Sequence, residues 1–354
     1  MVYVLVKGLV VVPESACWAG PWFGATRAPS LQRVANRPII CHVLDALAEA
    51  GVVQVAIASP PEVATEIELC IEREGPAGVV VNHLVNDRVA GGEEVLLAAA
   101  EFVGDAPCIL HRADGLLGEP VLAMIAPADG RARDAVLLLN NRALETAQLR
   151  LVPDGQTAVD YALAPCAVAG ACLVGPGLLR SLSRPGCSPA LLDFAAVADQ
   201  IAQDGGSIKV QVARRWRHFA GDARDLLDMN RAILDTLASE ATPDPNDDNR
   251  FEGNITIHPT ARVTSSVIIG PVMIGADALI NNSYIGPHTA IAERVRIEGA
   301  ELERSIVLAD ASVLHVGGRL VASIVGRHAR IFRDFSMPRA LRLQVGDRDE
   351  VALC

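Results

Sequence analysis

Lysine is almost missing from this chain of 354 residues: Lys7 and Lys209 are the only two, and every other basic residue is arginine. Chemistry that needs several lysines therefore has two candidates, and arginine is not their equivalent. Aromatic residues are scarce too, at 4% against a hydrophobic content of 51%, so the core is built mainly of Val, Leu, Ala and Ile. Positive charge is in deficit, with a formal net charge of -11 and no basic patch, which excludes nucleic-acid binding by phosphate neutralisation. No apolar run reaches the roughly 18 residues that a membrane helix needs. The opening "MVYVLVKGLVVV" has no basic segment before it and is interrupted by Lys7 and Pro13, so it reads as a strand rather than a signal peptide. The eight cysteines form no CxxC pair and no metal-ligand spacing, and read as reduced core thiols of a cytoplasmic protein.

What is present falls into two parts. Over residues 1–239 short apolar runs alternate with helical segments: "VYVLVKGLVVV", "PIICHVLDALAEAG" ending on Gly51, "VVQVAIAS", a Pro-led helix near residues 60–74, "GVVVNHL", "GGEEVLLAAAEFVG" and "PCILHRAD". This rhythm predicts an α/β domain with a doubly wound, mostly parallel sheet. Residues 240–254, "EATPDPNDDNRFEGN", are polar and rich in Pro, Asp and Asn, and read as a linker. From 255 to 354 the aliphatic period becomes six: Ile268, Ile274 and Ile280, then Ile285, Ile291 and Ile297, with five-residue steps at Val263–Ile268 and Ile280–Ile285. One inward aliphatic residue per short strand, repeated every six, predicts the triangular coils of a left-handed parallel β-helix.

In "VANRPIICHVLDALAEAGV", "EFVGDAP", "RDLLDMNRAIL", "SSVIIGPVMIGADALINNSYIGPHTAI", "ERSIVL" and "PRALRLQVGD" the chain resembles the sugar-1-phosphate nucleotidyltransferases, and most of all the long form of glucose-1-phosphate thymidylyltransferase. The resemblance implies joining a nucleoside triphosphate to a sugar 1-phosphate with release of pyrophosphate, helped by Mg²⁺. Such chemistry is positioning plus neutralisation of charge.

The family's charge-handling parts are altered here. Its Gly-rich phosphate loop aligns with "PESACWAG", where Glu14 repels phosphate and Pro13 removes a donor. Gly24, Thr26 and Arg27 follow several residues too late. The family's triphosphate lysine falls at Pro29, with Arg27 and Arg33 nearby. Its first Mg²⁺ carboxylate corresponds to Asp114 in "HRADG". Its second corresponds to Phe219 in "RWRHFAGD", with Asp222 three residues on. Its E-K-P element has no counterpart beyond "RLVPDGQTAVD", while Gly91 and Gly170 match glycines that border the sugar pocket.

The replacements have chemistry of their own. Alternation sets His111 and Ala113 on one face and Arg112 and Asp114 on the other, so a redesigned anion or acid/base site and a satisfied surface pair both stay open. Trp18, Trp22 and Phe23 read either as bulk that fills the emptied nucleotide site or as rings that stack on a base. His258, His288, His315 and His328 read as structural coil histidines rather than an acyltransferase wall. Three functional expectations follow from the resemblance. The chain is a degenerate homologue acting as a binding or regulatory partner, or carrying a changed reaction. Alternatively it is an active pyrophosphorylase using Arg27, Arg33, Asp114 and Asp222, with Asp114 as the metal ligand and Mg²⁺ as cofactor. The last is a β-helix scaffold that forms a homo-oligomer or pairs with an active relative. In each, the ligands implied are a sugar phosphate or nucleotide, the pocket residues are Gly91, His111, Arg112, Gly170 and Asp222, and neither nucleic acid nor membrane is a partner.

Overall fold

The computed structural model describes residues 6–13, 28–85, 93–118, 120–121, 135–140, 168–175, 179–180, 197, 200, 208–213, 215–238 and 248–335. The first lobe contains β1 (Lys7–Val11), a hairpin of β2 (Arg33–Val34) and β3 (Arg37–Pro38), α1 (Ile39–Glu49), β4 (Gln54–Ser59), α2 (Pro61–Glu74), β5 (Val80–Val85), α3 (Glu93–Val103), β6 (Cys108–Arg112), β7 (Gly115–Leu117), β8 (Ala135–Asn140), β9 (Val168–Val174), β10 (Ile208–Ala213), β11 (Trp216–His218) and α4 (Ala223–Leu234). Seven strands form one sheet in the order β10-β8-β9-β6-β1-β4-β5. Only β9 runs against its neighbours, so the expected mostly parallel α/β sheet is what forms.

Local sequence explains the helices that flank it. In α1 the apolar residues Ile40, Val43, Leu44 and Leu47 recur at helical spacing and are buried, and the helix stops before Gly51, whose φ of 81° suits glycine. Pro61 opens α2, where its missing N–H has no helical partner to lose, and Val63, Ala64 and Ile67 supply the buried face. Each β1 residue then faces one of two cores. Leu9 and Val11 join Leu96 and Ala99 of α3, while Val10 joins Leu44 and Leu47 of α1.

The second lobe is the left-handed parallel β-helix, with fifteen short strands in three five-stranded parallel sheets. Its inward columns are the aliphatic series read from the sequence. Ile257, Ile274, Ile291, Val307 and Val325 stack in one, and Val263, Ile280, Ile297, Val313 and Ile331 in another. The five-residue steps mark one recurring corner, where Ser266 Oγ accepts from the Ser283 N–H (3.1 Å) and Ser283 Oγ from the Ala300 N–H (3.3 Å). His315 at this corner, and His288 and His328 at the other two, adopt φ of 51°, 59° and 56°, left-handed positions that His tolerates better than most residues. The first coil strand, Arg250–Glu252, lies inside the stretch whose composition reads as linker. Phe251 there pairs with Ile268 and takes an inward place that no Ile or Val announces.

The lobes interlock through the β2–β3 hairpin and α4. At the hairpin tip Ala35 and Asn36 have φ of 45° and 62°. Ala35 N–H donates to Asn230 Oδ1 (2.8 Å), Asn230 Nδ2 donates to the His288 carbonyl (3.0 Å), and Asn36 Nδ2 donates to the Ile291 carbonyl (2.7 Å). Val34, Ile39, Phe219 and Met229 pack with Ile306 and Leu308 of the coil beside this network.

Candidate functional site

β6 lies between β1 and β9, and its last residues pair with the end of β1: His111 with Val10, and Arg112 with Val11. Ala113 N–H then donates to the Val11 carbonyl (2.9 Å). Asp114 therefore sits beside the point where the chain leaves β1 toward the aligned phosphate loop, the usual ligand position of a doubly wound sheet.

The Asp114 carboxylate is already engaged. Arg112 Nε donates to Oδ1 (2.9 Å) and Arg112 Nη2 to Oδ2 (2.7 Å), a bidentate fork that occupies both oxygens. The Asp114 side chain is 3% exposed and that of Arg112 is 26% exposed, so the pair is largely withdrawn from water. The Arg112 stem lies over Gly170, where a Cβ would collide with the Arg112 methylenes and the Trp216 ring. Trp216, 4% exposed, also covers Gly115 so closely that a side chain there is excluded. Gly170 is thus a landing place for Arg112 and Trp216.

Phe219, at the position the resemblance gives to the second carboxylate, stands beside Asp114 in space, since its N–H donates to the Asp114 carbonyl (3.0 Å). Its ring is buried among Leu116, Leu226 and Met229. Asp222 is the exposed N-cap of α4, accepting from the Arg224 N–H (2.9 Å). Arg33 is a clamp: Nη1 and Nη2 donate to Glu74 (2.8 and 2.7 Å), and Nε and Nη2 to the Asn36 carbonyl (3.1 and 2.6 Å). Burial opposes its charge and Glu74 restores it, leaving its pKa raised. Pro29 is buried in a short 3-10 turn. Lys7 donates to the Phe102 carbonyl (2.5 Å) and lies 4.9 Å from that ring, a structural role.

The residue types needed to hold Mg²⁺ do not fit here. Asp114 has both oxygens on a guanidinium, and Phe219 supplies no second carboxylate beside it, so neither residue leaves a carboxylate oxygen free for the ion.

His111 points to the other face of β6. Its Nδ1–H donates to the Arg112 carbonyl (2.7 Å), and its ring meets Trp216 edge-on, with centroids 5.6 Å apart. Burial lowers its pKa to about 4, against smaller raising effects from that hydrogen bond and from Asp114, so the ring is neutral. It lines a cleft of about 570 Å³ shared with His42, Asp45, Glu49, Arg215 and Thr236. Trp216 is thus the common neighbour of the His111 ring and the Arg112 stem.

Trp216 is the site residue that sequence reasoning passed over. Its signal is indirect: two glycines, Gly115 and Gly170, that leave room for one large ring. Arg27 and Gly91 lie outside the described residues, as do Glu14, Trp18, Trp22, Phe23, Gly24 and Thr26 and the "RLVPDGQTAVD" stretch. No helix among the described residues is long and apolar enough to cross a membrane.

No family model matches the chain. Among curated proteins, it is 25% identical over 339 residues to a glucose-1-phosphate thymidylyltransferase of Streptomyces antibioticus, covering 93% of this chain and 94% of that one. It is 26% identical over 340 residues to a protein of the same name from Streptomyces griseus, with the same coverage. Among solved structures, a Bacillus anthracis chain assigned as a glucose-1-phosphate thymidylyltransferase, crystallised with sucrose, superposes with a TM-score of 0.53 at 16% identity, covering 64% of this chain and 94% of that chain. That likeness speaks for the fold.

Proposed function

We propose that this chain, 25–26% identical over 93% of its length to two glucose-1-phosphate thymidylyltransferases, is a sugar-1-phosphate nucleotidyltransferase homologue whose cleft has given up Mg²⁺-assisted nucleotidyl transfer and serves as a binding or regulatory partner in sugar or secondary metabolism. The Arg112–Asp114 fork carries this reading. A guanidinium covers the carboxylate that the family offers to its metal, and the positions of the second carboxylate and of the lysine hold Phe219 and Pro29. Transition-state charge would gather where neither metal nor lysine is present to meet it.

Any nucleotide or sugar phosphate that the cleft takes is therefore held without Mg²⁺. A melting-temperature panel of nucleotides and sugar phosphates, with and without Mg²⁺, tests this. Shifts independent of the metal support the reading, and a nucleotide shift that requires Mg²⁺ sinks it. The regulatory form of the proposal pairs the chain, through its β-helix, with itself or with an active relative. Native mass spectrometry showing a strict monomer alone and in the presence of such a relative would remove that form.

A further inference from the structure

Cys41 and Cys70 share no motif in the sequence, yet the fold brings them together. Cys41 lies on α1 and Cys70 on α2, 29 positions apart, and their Sγ atoms are 3.9 Å from each other. Both are free thiols; Cys41 is fully buried and Cys70 half-buried. The other two described cysteines, Cys108 and Cys172, are buried inside the sheet. Two arginines frame the Cys70 end. Arg33 grips the Glu74 side chain, and Arg37 Nη2 donates to the Glu74 carbonyl (2.5 Å), one turn beyond Cys70 on the same helix.

From this geometry we propose that Cys41 and Cys70 form a redox-active dithiol, oxidised to a disulfide between α1 and α2 by a low-molecular-weight disulfide. Exposure divides the roles. Cys70 is the sulfur that a solvent-borne oxidant can reach, and Cys41, behind it, is the one that can resolve. The electrostatics agree: the hydrogen bond from Cys41 lowers the Cys70 pKa, while the same contact and burial raise that of Cys41, so Cys70 is the more acidic thiol of the two.

The steps balance. The Cys70 thiolate attacks one sulfur of RSSR, the RS–SR bond breaks, and RS⁻ leaves. Cys41 then gives its proton to the departing thiolate and attacks Cys70 Sγ in the mixed disulfide, expelling the second RS⁻, which takes a proton from water. Two protein thiols are oxidised and one RSSR is reduced to two thiols. Reaching the usual S–S length needs the sulfurs to close by about 1.9 Å, a movement that falls on two surface helices rather than on the central sheet.

The test treats the folded full-length protein with oxidised glutathione, alkylates the remaining thiols and maps peptides by mass spectrometry. Wild type is expected to give a Cys41–Cys70 cross-linked peptide that dithiothreitol removes. Cys41→Ser should stop at a persistent glutathione adduct on Cys70, and Cys70→Ser should leave Cys41 unmodified until the protein is denatured. The proposal is overturned if both thiols of folded wild type stay fully alkylatable at a glutathione disulfide concentration that oxidises a free dithiol. It is equally overturned if glutathione accumulates on wild-type Cys70 with no cross-link. The wild-type map decides the matter even where a variant folds poorly.

Discussion

Arg112→Met removes both donors of the fork and keeps most of the hydrocarbon stem that packs on Gly170 and Trp216. What remains is a carboxylate whose side chain is 3% exposed, with no counter-charge. Removing one partner of a buried pair generally costs about 3–5 kcal/mol. Arg112 itself is 26% exposed, so water entering the vacated space places the expected loss near the low end, about 3 kcal/mol. Asp114→Asn leaves the cation with partial solvent access and is expected to cost less, about 1–2 kcal/mol. The double variant removes both charges together, and is expected to recover about 1–2 kcal/mol relative to the sum of the singles. Urea denaturation followed by far-UV circular dichroism measures all four proteins. A loss under about 0.5 kcal/mol for Arg112→Met, or strict additivity in the cycle, would refute the claim that Asp114 is neutralised by Arg112.

Two further perturbations address other parts of the account. His111 holds a pKa of about 4 in the fold against an ordinary value of 6.5, so the unfolded chain binds more protons between those values and stability falls as pH drops through that window. His111→Gln is expected to flatten the profile by up to about 3 kcal/mol between pH 6.5 and 4, as read by urea midpoints in matched buffers; parallel profiles would contradict a neutral buried imidazole. Asn230→Ala deprives the Ala35 N–H and the His288 carbonyl of their partners at a fully buried position, and is expected to cost about 2–3 kcal/mol. Limited proteolysis should then cut between the lobes earlier than in wild type, and unchanged denaturation would show that the network does not couple them.

Much of the fold was legible because its periods differ. The βα rhythm and the six-residue aliphatic step need no tertiary information, and even the five-residue irregularities turned out to be one serine-lined corner. Phe251 escaped because an aromatic at the first inward position does not carry the aliphatic signature. At the candidate site, strand alternation set Arg112 and Asp114 on one face, and their pairing is the simplest consequence of that placement. Long-range partners were out of reach. Glu74 meets Arg33 across 41 positions and Cys70 meets Cys41 across 29, and no local pattern encodes either contact. Trp216 reaches Gly115 only because β11 folds antiparallel onto β7. Asp222, three residues past the position that the resemblance gives to a carboxylate, caps the helix that follows it.

In the proposed function, a guanidinium on Asp114 stands in place of the metal chemistry expected of a sugar-1-phosphate nucleotidyltransferase. Pyrophosphate release from dTTP and glucose 1-phosphate with Mg²⁺, run beside an active family member at equal protein concentration, addresses it most directly. No release above the protein-free blank is expected, with other nucleoside triphosphates giving the same result. Sustained Mg²⁺-dependent release that Asp114→Asn abolishes would contradict it.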